Sequence, residues 1–218
     1  MAESKTLHDA FLDELRDVYD AEKQIIKALP KIIKTVSSED LREGLEQHLE
    51  ETKAQVYRLE QVFEQLDEKP RGKHCDGMAG ILDEGKKMME EDLDDPALDA
   101  ALIGGCQRVE HYEIAAYGTL VSWARAMGHN EAADLLQETL DEEKAADEKL
   151  TQVAEAGLNQ AAAGFAHPDD EDQDEEAEDD RSTRRSTPQR AKASAKSGSR
   201  NGARTGSRPM ARVGSKKR

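Results

Sequence analysis

Apolar residues recur near the start of the chain as Phe11, Leu15, Val18, Ile25, Leu29, Ile32 and Val36, in alternating steps of four and three with one slot missing at position 22. That spacing predicts an amphipathic helix of about thirty residues. Glu22 fills the vacant slot. Thr6, followed three residues later by Asp9, has the form of a capping box with a shorter acid. Pro30 should kink the helix without ending it, because the apolar period continues past it.

Ser37 and Ser38 interrupt the pattern and offer a cap for a second helix, whose seam is Leu41, Leu45, Leu59, Val62 and Leu66. The centre of that seam is polar, reading His48, Thr52 and Gln55, with Glu51 beside it. Lys69–Gly80 is a loop by its Pro and Gly content, and a short helix is expected around Ile81–Glu91. The connection from about 69 to 95 is longer than a hairpin between neighbouring helices needs, and suits a bundle with one long crossover. Asp95-Pro96 starts a third long helix with Leu102, Cys106, Val109, Ala116, Leu120 and Met127 in its seam and Glu113 in the remaining slot. Gly128 ends it. Asn130 is the expected cap of a fourth helix with Ala132, Leu136, Thr139, Ala146, Leu150 and Val153 in its seam, Glu143 in the gap, Asp147 one turn on and Gly157 as the stop.

Composition supports this reading and adds a tail. Aromatics make up only 4% of the 218 residues, charged residues 36%, as in helix bundles. The charge is unevenly spread: residues 169–180 hold ten acids and no base, and residues 181–218 hold thirteen bases and no acid. A segment so poor in apolar residues cannot offset its chain entropy, so the expected organisation is a bundle over 1–160 and a disordered acidic-then-basic tail over 161–218. What remains of the net charge of −16 lies on an acidic bundle, which suits cations and argues against the bundle itself gripping nucleic acid. Two cysteines, Cys75 and Cys106, make no disulfide framework, and a cytoplasmic setting is the expectation. The N-terminus has no apolar core of a signal peptide, and no run is long enough to span a membrane.

The chemistry is in the acids. Spans of roughly 6–36, 38–68, 96–127 and 130–157 put the helix midpoints at about 21, 53, 112 and 144. Glu22, Glu51, Glu113 and Glu143 each lie within a few residues of one of these, and Glu110 is one turn from Glu113. In an antiparallel bundle the midpoints share a layer, so the carboxylates would converge in the core. Uncompensated, such a group is costly to bury and would have to protonate. Two divalent cations remove the problem, and an oxygen-rich set with His48 as nitrogen donor favours iron or manganese. The bland alternative for any one acid, Glu22 for instance, is a boundary residue of an acid-rich chain; four at matching depth are harder to dismiss. His111 is expected to point off the seam, Cys106 to be a small core residue, and Tyr19, Tyr57, Tyr112 and Tyr117 to be bundle packing unless one stands near a redox metal.

The phrases ELRDVYDAEKQIIKALPK (14–31), HLEETKAQVYRLEQVF (48–63), VEHYEIAAYGTL (109–120) and TLDEEKAADEKL (139–150) are similar to those of the YciE/YciF-type ferritin-like proteins. The resemblance covers residues 5–158 and implies an all-α, ferritin-like four-helix bundle with a di-metal centre, dimeric and linked to bacterial stress responses. The chain departs from ferritins and rubrerythrins, which carry Glu-x-x-His on the second and fourth helices: here Glu51 is followed by Ala54 and Glu143 by Ala146. His48 and Asp147 are the candidates to substitute from adjacent turns. The ligand candidates are therefore Glu22, His48, Glu51, Glu110, Glu113, Glu143 and Asp147. The implied function is redox chemistry on dioxygen or peroxide, or metal handling, under stress. The alternative is a non-enzymatic structural or interaction protein with a vestigial site. The basic tail could bind DNA non-specifically or fold back on the acidic part of the chain.

Overall fold

The computed structural model describes residues 5–166, and every regular element among them is helical. Four long helices, α1 (Leu7–Thr35), α2 (Glu39–Gln65), α4 (Asp95–Met127) and α5 (Asn130–Val153), form the bundle. A shorter α3 (Asp76–Met88) lies in the crossover, and a π turn (Ala154–Leu158) leads from α5 into α6 (Asn159–Ala166). The long helices pack as a ring: α1 on α2, α2 on α5, α5 on α4 and α4 on α1. The expected four-helix bundle with one long crossover is the observed fold.

The helix ends follow from local chemistry. Thr6 and Asp9 form the reciprocal capping box, Ser38 accepts from Leu41 N, and Gly128 closes α4 in the left-handed region at φ 81°. Pro30 is held within α1. Some ends differ from expectation. Asp94, not Asp95, caps α4, its carboxylate accepting from Ala97 N at 3.0 Å. His129 precedes α5 at the cap position with no side-chain cap bond, and Asn130 is already helical. The crossover helix begins five residues early because the Cys75 Sγ accepts from Met78 N and serves as its cap. Gly157 bends the chain at φ 141° rather than stopping it, and the π turn and α6 continue along α4. The acidic and basic blocks of the tail lie outside the described residues.

Two apolar clusters fill the bundle. At one end the start of α1 (Phe11, Leu15, Val18) meets the end of α2 (Leu59, Val62, Phe63), the end of α4 (Tyr117, Leu120, Ala124) and the start of α5 (Ala132, Leu136). At the other end the partners are the end of α1 (Ile25, Leu29, Ile32), the start of α2 (Leu41, Leu45), the start of α4 (Leu102, Cys106) and Leu150 of α5. Neighbours in the ring are therefore antiparallel. Burying each large apolar side chain contributes about 1.5–3 kcal/mol. Because α2 ends at one end and α4 starts at the other, the segment between them must travel the length of the bundle. It is tied to α1 on the way: Lys73 N donates to Arg16 O (3.0 Å), Cys75 N to the Asp20 carboxylate (3.0 Å), and Gln24 to Cys75 O (3.1 Å). At the far end, buried Asp99 accepts from Ser37 N (3.0 Å), Ser37 Oγ (2.7 Å) and Ser38 N (2.7 Å), clamping the α1–α2 turn to α4.

Candidate metal centre

Between the two apolar clusters lies a buried polar layer. It holds Glu22 from α1, His48, Thr52 and Gln55 from α2, Glu110 and Glu113 from α4, and Thr139 and Glu143 from α5. Each long helix loses its apolar period at this depth, so antiparallel packing superposes the four interruptions. One ligand-type atom from each of His48, Glu110, Glu113 and Glu143 lies within 4.8 Å of all the others. Glu22 joins the layer from α1: its Oε1 accepts from the Tyr117 hydroxyl, and the Glu143 carboxylate is close enough to oppose its ionisation. Gln55 Nε2 donates to Glu143 Oε1 and, at 3.0 Å, to Glu142 Oε2. Glu142 is held in turn by a two-pronged contact from Arg58 at 2.8 and 2.9 Å, and Arg58 also reaches the Thr139 hydroxyl at 2.7 Å.

Three of the seven candidates lie outside the four-residue cluster: Glu22, which is buried in the same layer, and Glu51 and Asp147, which stand apart from it. Glu51 is a third exposed; its Oε2 is 4.0 Å from His48 Nδ1, and its Oε1 accepts from Gln47 at 2.8 Å. Asp147 is partly exposed and faces α4, accepting from Gln107 (3.1 Å) and lying 3.3 Å from His111. Neither belongs to the cluster of converging atoms. His111 is largely exposed, as its place off the seam predicts. Tyr117 is fully buried, and it is a tyrosine of the kind set apart from plain packing, because its hydroxyl donates to Glu22 in the polar layer. The available signal was its position four residues after Glu113, on the same helix face.

The electrostatics are those of acids crowded in a dry space. Burial, reinforced by neighbouring glutamates, holds the carboxyls of Glu22, Glu110 and Glu113 well above the usual range. Burial also raises Glu143, to about 7. His48 is pushed down to about 4 by burial and is neutral at pH 7. Despite this crowding, Glu22 Oε2, both His48 nitrogens, Gln55 Oε1, Glu110 Oε2, Glu113 Oε1 and Glu143 Oε2 are buried with no hydrogen-bond partner. Such orphans are rare and call for a physical reason. Carboxylate oxygens with one imidazole nitrogen are what a divalent cation requires, so the residues present fit a metal of the iron or manganese type.

Comparison with known proteins places the chain. Residues 6–163 match the family described as "Domain of unknown function (DUF892)". The chain belongs to this family. It is 44% identical over 163 residues to the protein YciF of Escherichia coli (strain K12), covering 74% of this chain and 98% of that protein. The crystal structure of the E. coli stress protein YciF superposes with a TM-score of 0.69 over 72% of this chain and 99% of the other. YcfI from Rhodopseudomonas palustris superposes with a TM-score of 0.67 at 47% identity, over 69% and 96%. The resemblance to YciF-type ferritin-like proteins is thus a family relationship. Among the described residues no helix is long and apolar enough to cross a membrane.

Proposed function

We propose that this protein is a stress-response bundle that binds a pair of divalent metal ions, iron or manganese, in its central carboxylate layer. The observation that carries the reading is the convergence of His48, Glu110, Glu113 and Glu143, each of which also carries a buried oxygen or nitrogen with no hydrogen-bond partner. Glu22, Glu110, Glu113, Glu143 and His48 would hold the metal; Glu51 and Asp147 could join only by turning from their present partners. Iron or manganese, when bound, supplies one-electron redox chemistry suited to dioxygen or peroxide. The chain's own part is positional. Tyr117 fixes the Glu22 carboxylate, Gln55 fixes Glu143, and neutral His48 presents unprotonated nitrogen. The apolar clusters above and below close the layer to water at both ends of the bundle. Reconstitution of the purified protein with Fe(II) or Mn(II), followed by metal analysis, tests this. A stoichiometry near zero, unchanged in Glu113→Ala, would sink it.

A second reading, favoured by Ala54 and Ala146 at the positions of the ferritin-type histidines, is a non-enzymatic structural or interaction protein with a vestigial site. Metal-dependent consumption of peroxide or dioxygen would exclude it. Two features implied by the sequence belong with either reading. A homodimer is checked by sedimentation equilibrium. Non-specific DNA contact through the thirteen bases of 181–218 is checked by gel retardation of the full chain against a chain ending at Gly164.

A further inference from the structure

A cleft of about 420 Å³ runs between α2 and α5 and opens to solvent past Gln47, Ala145 and Lys149. Its floor is the edge of the polar layer, His48 and Glu110. Both side chains are more than nine-tenths buried, and both carry nitrogen or oxygen atoms with no hydrogen-bond partner. The other side of the layer is sealed: Glu22, Glu113 and Tyr117 are at most 1% exposed and do not line the cleft. Small residues line both walls, Gly44 on α2 and Ala145 and Ala146 on α5. The rim is acidic. Asp40, Glu51, Glu142 and Glu148 stand around one lysine, Lys149, and Arg58 neutralises Glu142.

We propose that the α2–α5 cleft is the route by which divalent cations reach the central layer, and that Ala146 keeps it open. The inference rests on the metal-binding reading above. Ala146 occupies the position three residues after Glu143 where ferritins carry histidine, and here that position lines the cleft. A ring in its place would stand between solvent and His48. The absent histidine thus has a positive consequence: it exposes an edge of the site that a ligand at this position would cover. Ala54, the other position without histidine, is exposed on α2 and does not line the cleft. The acidic rim draws cations and disfavours anions.

The test is the rate at which the metal-free full chain takes up Co(II), followed by visible absorbance in a stopped-flow mixer, with the final stoichiometry measured separately. Ala146→Phe plugs the cleft from α5. Gly44→Phe plugs it from α2, where an added Cβ meets nothing within 4 Å, so at least one variant should fold undisturbed. Both are expected to load at least tenfold more slowly than wild type while reaching the same stoichiometry. Ala54→Phe is expected to load at the wild-type rate. Loading of the folded plugged variants at the wild-type rate overturns the route and leaves metal binding standing. Loss of bound metal at equilibrium in both plugged variants also overturns it, since these positions would then belong to the site and not to its approach. If the wild-type chain takes up no Co(II), the metal-binding reading fails and the route falls with it.

Discussion

Replacing Glu143 with glutamine should make the metal-free protein more stable and remove most of the stabilisation that metal gives. In the metal-free fold the Glu143 carboxyl is raised by burial from 4.5 to about 7. A carboxyl raised in the folded state adds no penalty below the unfolded value, where both states are protonated. As pH climbs from 4.5 to about 7 the unfolded chain ionises and the fold does not, so stability falls; above about 7 the penalty is constant. At 1.36 kcal/mol per pKa unit, the full penalty is about 3 kcal/mol. Glu143→Gln removes it and keeps an oxygen to accept from Gln55. The variant should therefore exceed wild type by about 1–3 kcal/mol at pH 8, with the difference vanishing near pH 4.5. With metal the gap closes by about 2 kcal/mol. At a cation concentration 100-fold above its Kd, wild type gains about 2.7 kcal/mol, or roughly 5–10 °C in Tm for a bundle of this size. A 100-fold loss of affinity leaves the variant only about 0.4 kcal/mol of that gain. Thermal unfolding by circular dichroism at pH 5 and 8, with and without Mn(II), measures all four quantities. A variant that is less stable than wild type at pH 8 without metal, yet shows the full metal shift, would refute the reasoning.

Other outcomes are expected from the same structure. Asp99→Ala leaves two backbone N–H groups of the α1–α2 turn without their charged acceptor and should cost about 2–4 kcal/mol in urea unfolding. Gly77→Ala puts a methyl 2.8 Å from the Tyr112 ring, which is anchored to Asp17 (2.9 Å); a loss of about 1–3 kcal/mol is expected, partly recovered in the Gly77→Ala, Tyr112→Leu double variant. Tyr117→Phe strips Glu22 of its hydrogen-bond donor and should weaken metal affinity by about 10- to 100-fold, as read by titration calorimetry, while the helical signal is unchanged. Cys106, buried and pushed up to about 12 by its surroundings, should resist thiol reagents in the native protein and react only after unfolding.

The acids at Glu22, Glu113 and Glu143 were legible because each sits where an apolar residue is due on an otherwise regular seam. A missing step in a period of 3.6 is visible without any structure. The caps at Thr6, Ser38 and Gly128 were legible for a similar reason, since a cap is settled within four residues. Glu51 and Asp147 lie at the depth of the polar layer but turn to partners outside it. They flank the seam, and a flanking side chain turns to whichever partner is near, here Gln47 for one and Gln107 for the other.

What the sequence by itself determined is the set of faces: which stripe of each helix is buried, how long each helix runs, and at what depth each stripe turns polar. Those properties are local, set by hydrophobic period and capping within a few turns. Only the tertiary structure decided which side chains meet. The ring order of the helices puts Tyr117 on Glu22, Gln55 on Glu143, Asp99 under the α1–α2 turn, and the cleft beside Ala146. The side-chain contacts among these join residues about sixty to ninety-five positions apart, between helices whose relative rotation and stagger are set by the packing of both apolar clusters at once. No period along a single helix carries that information.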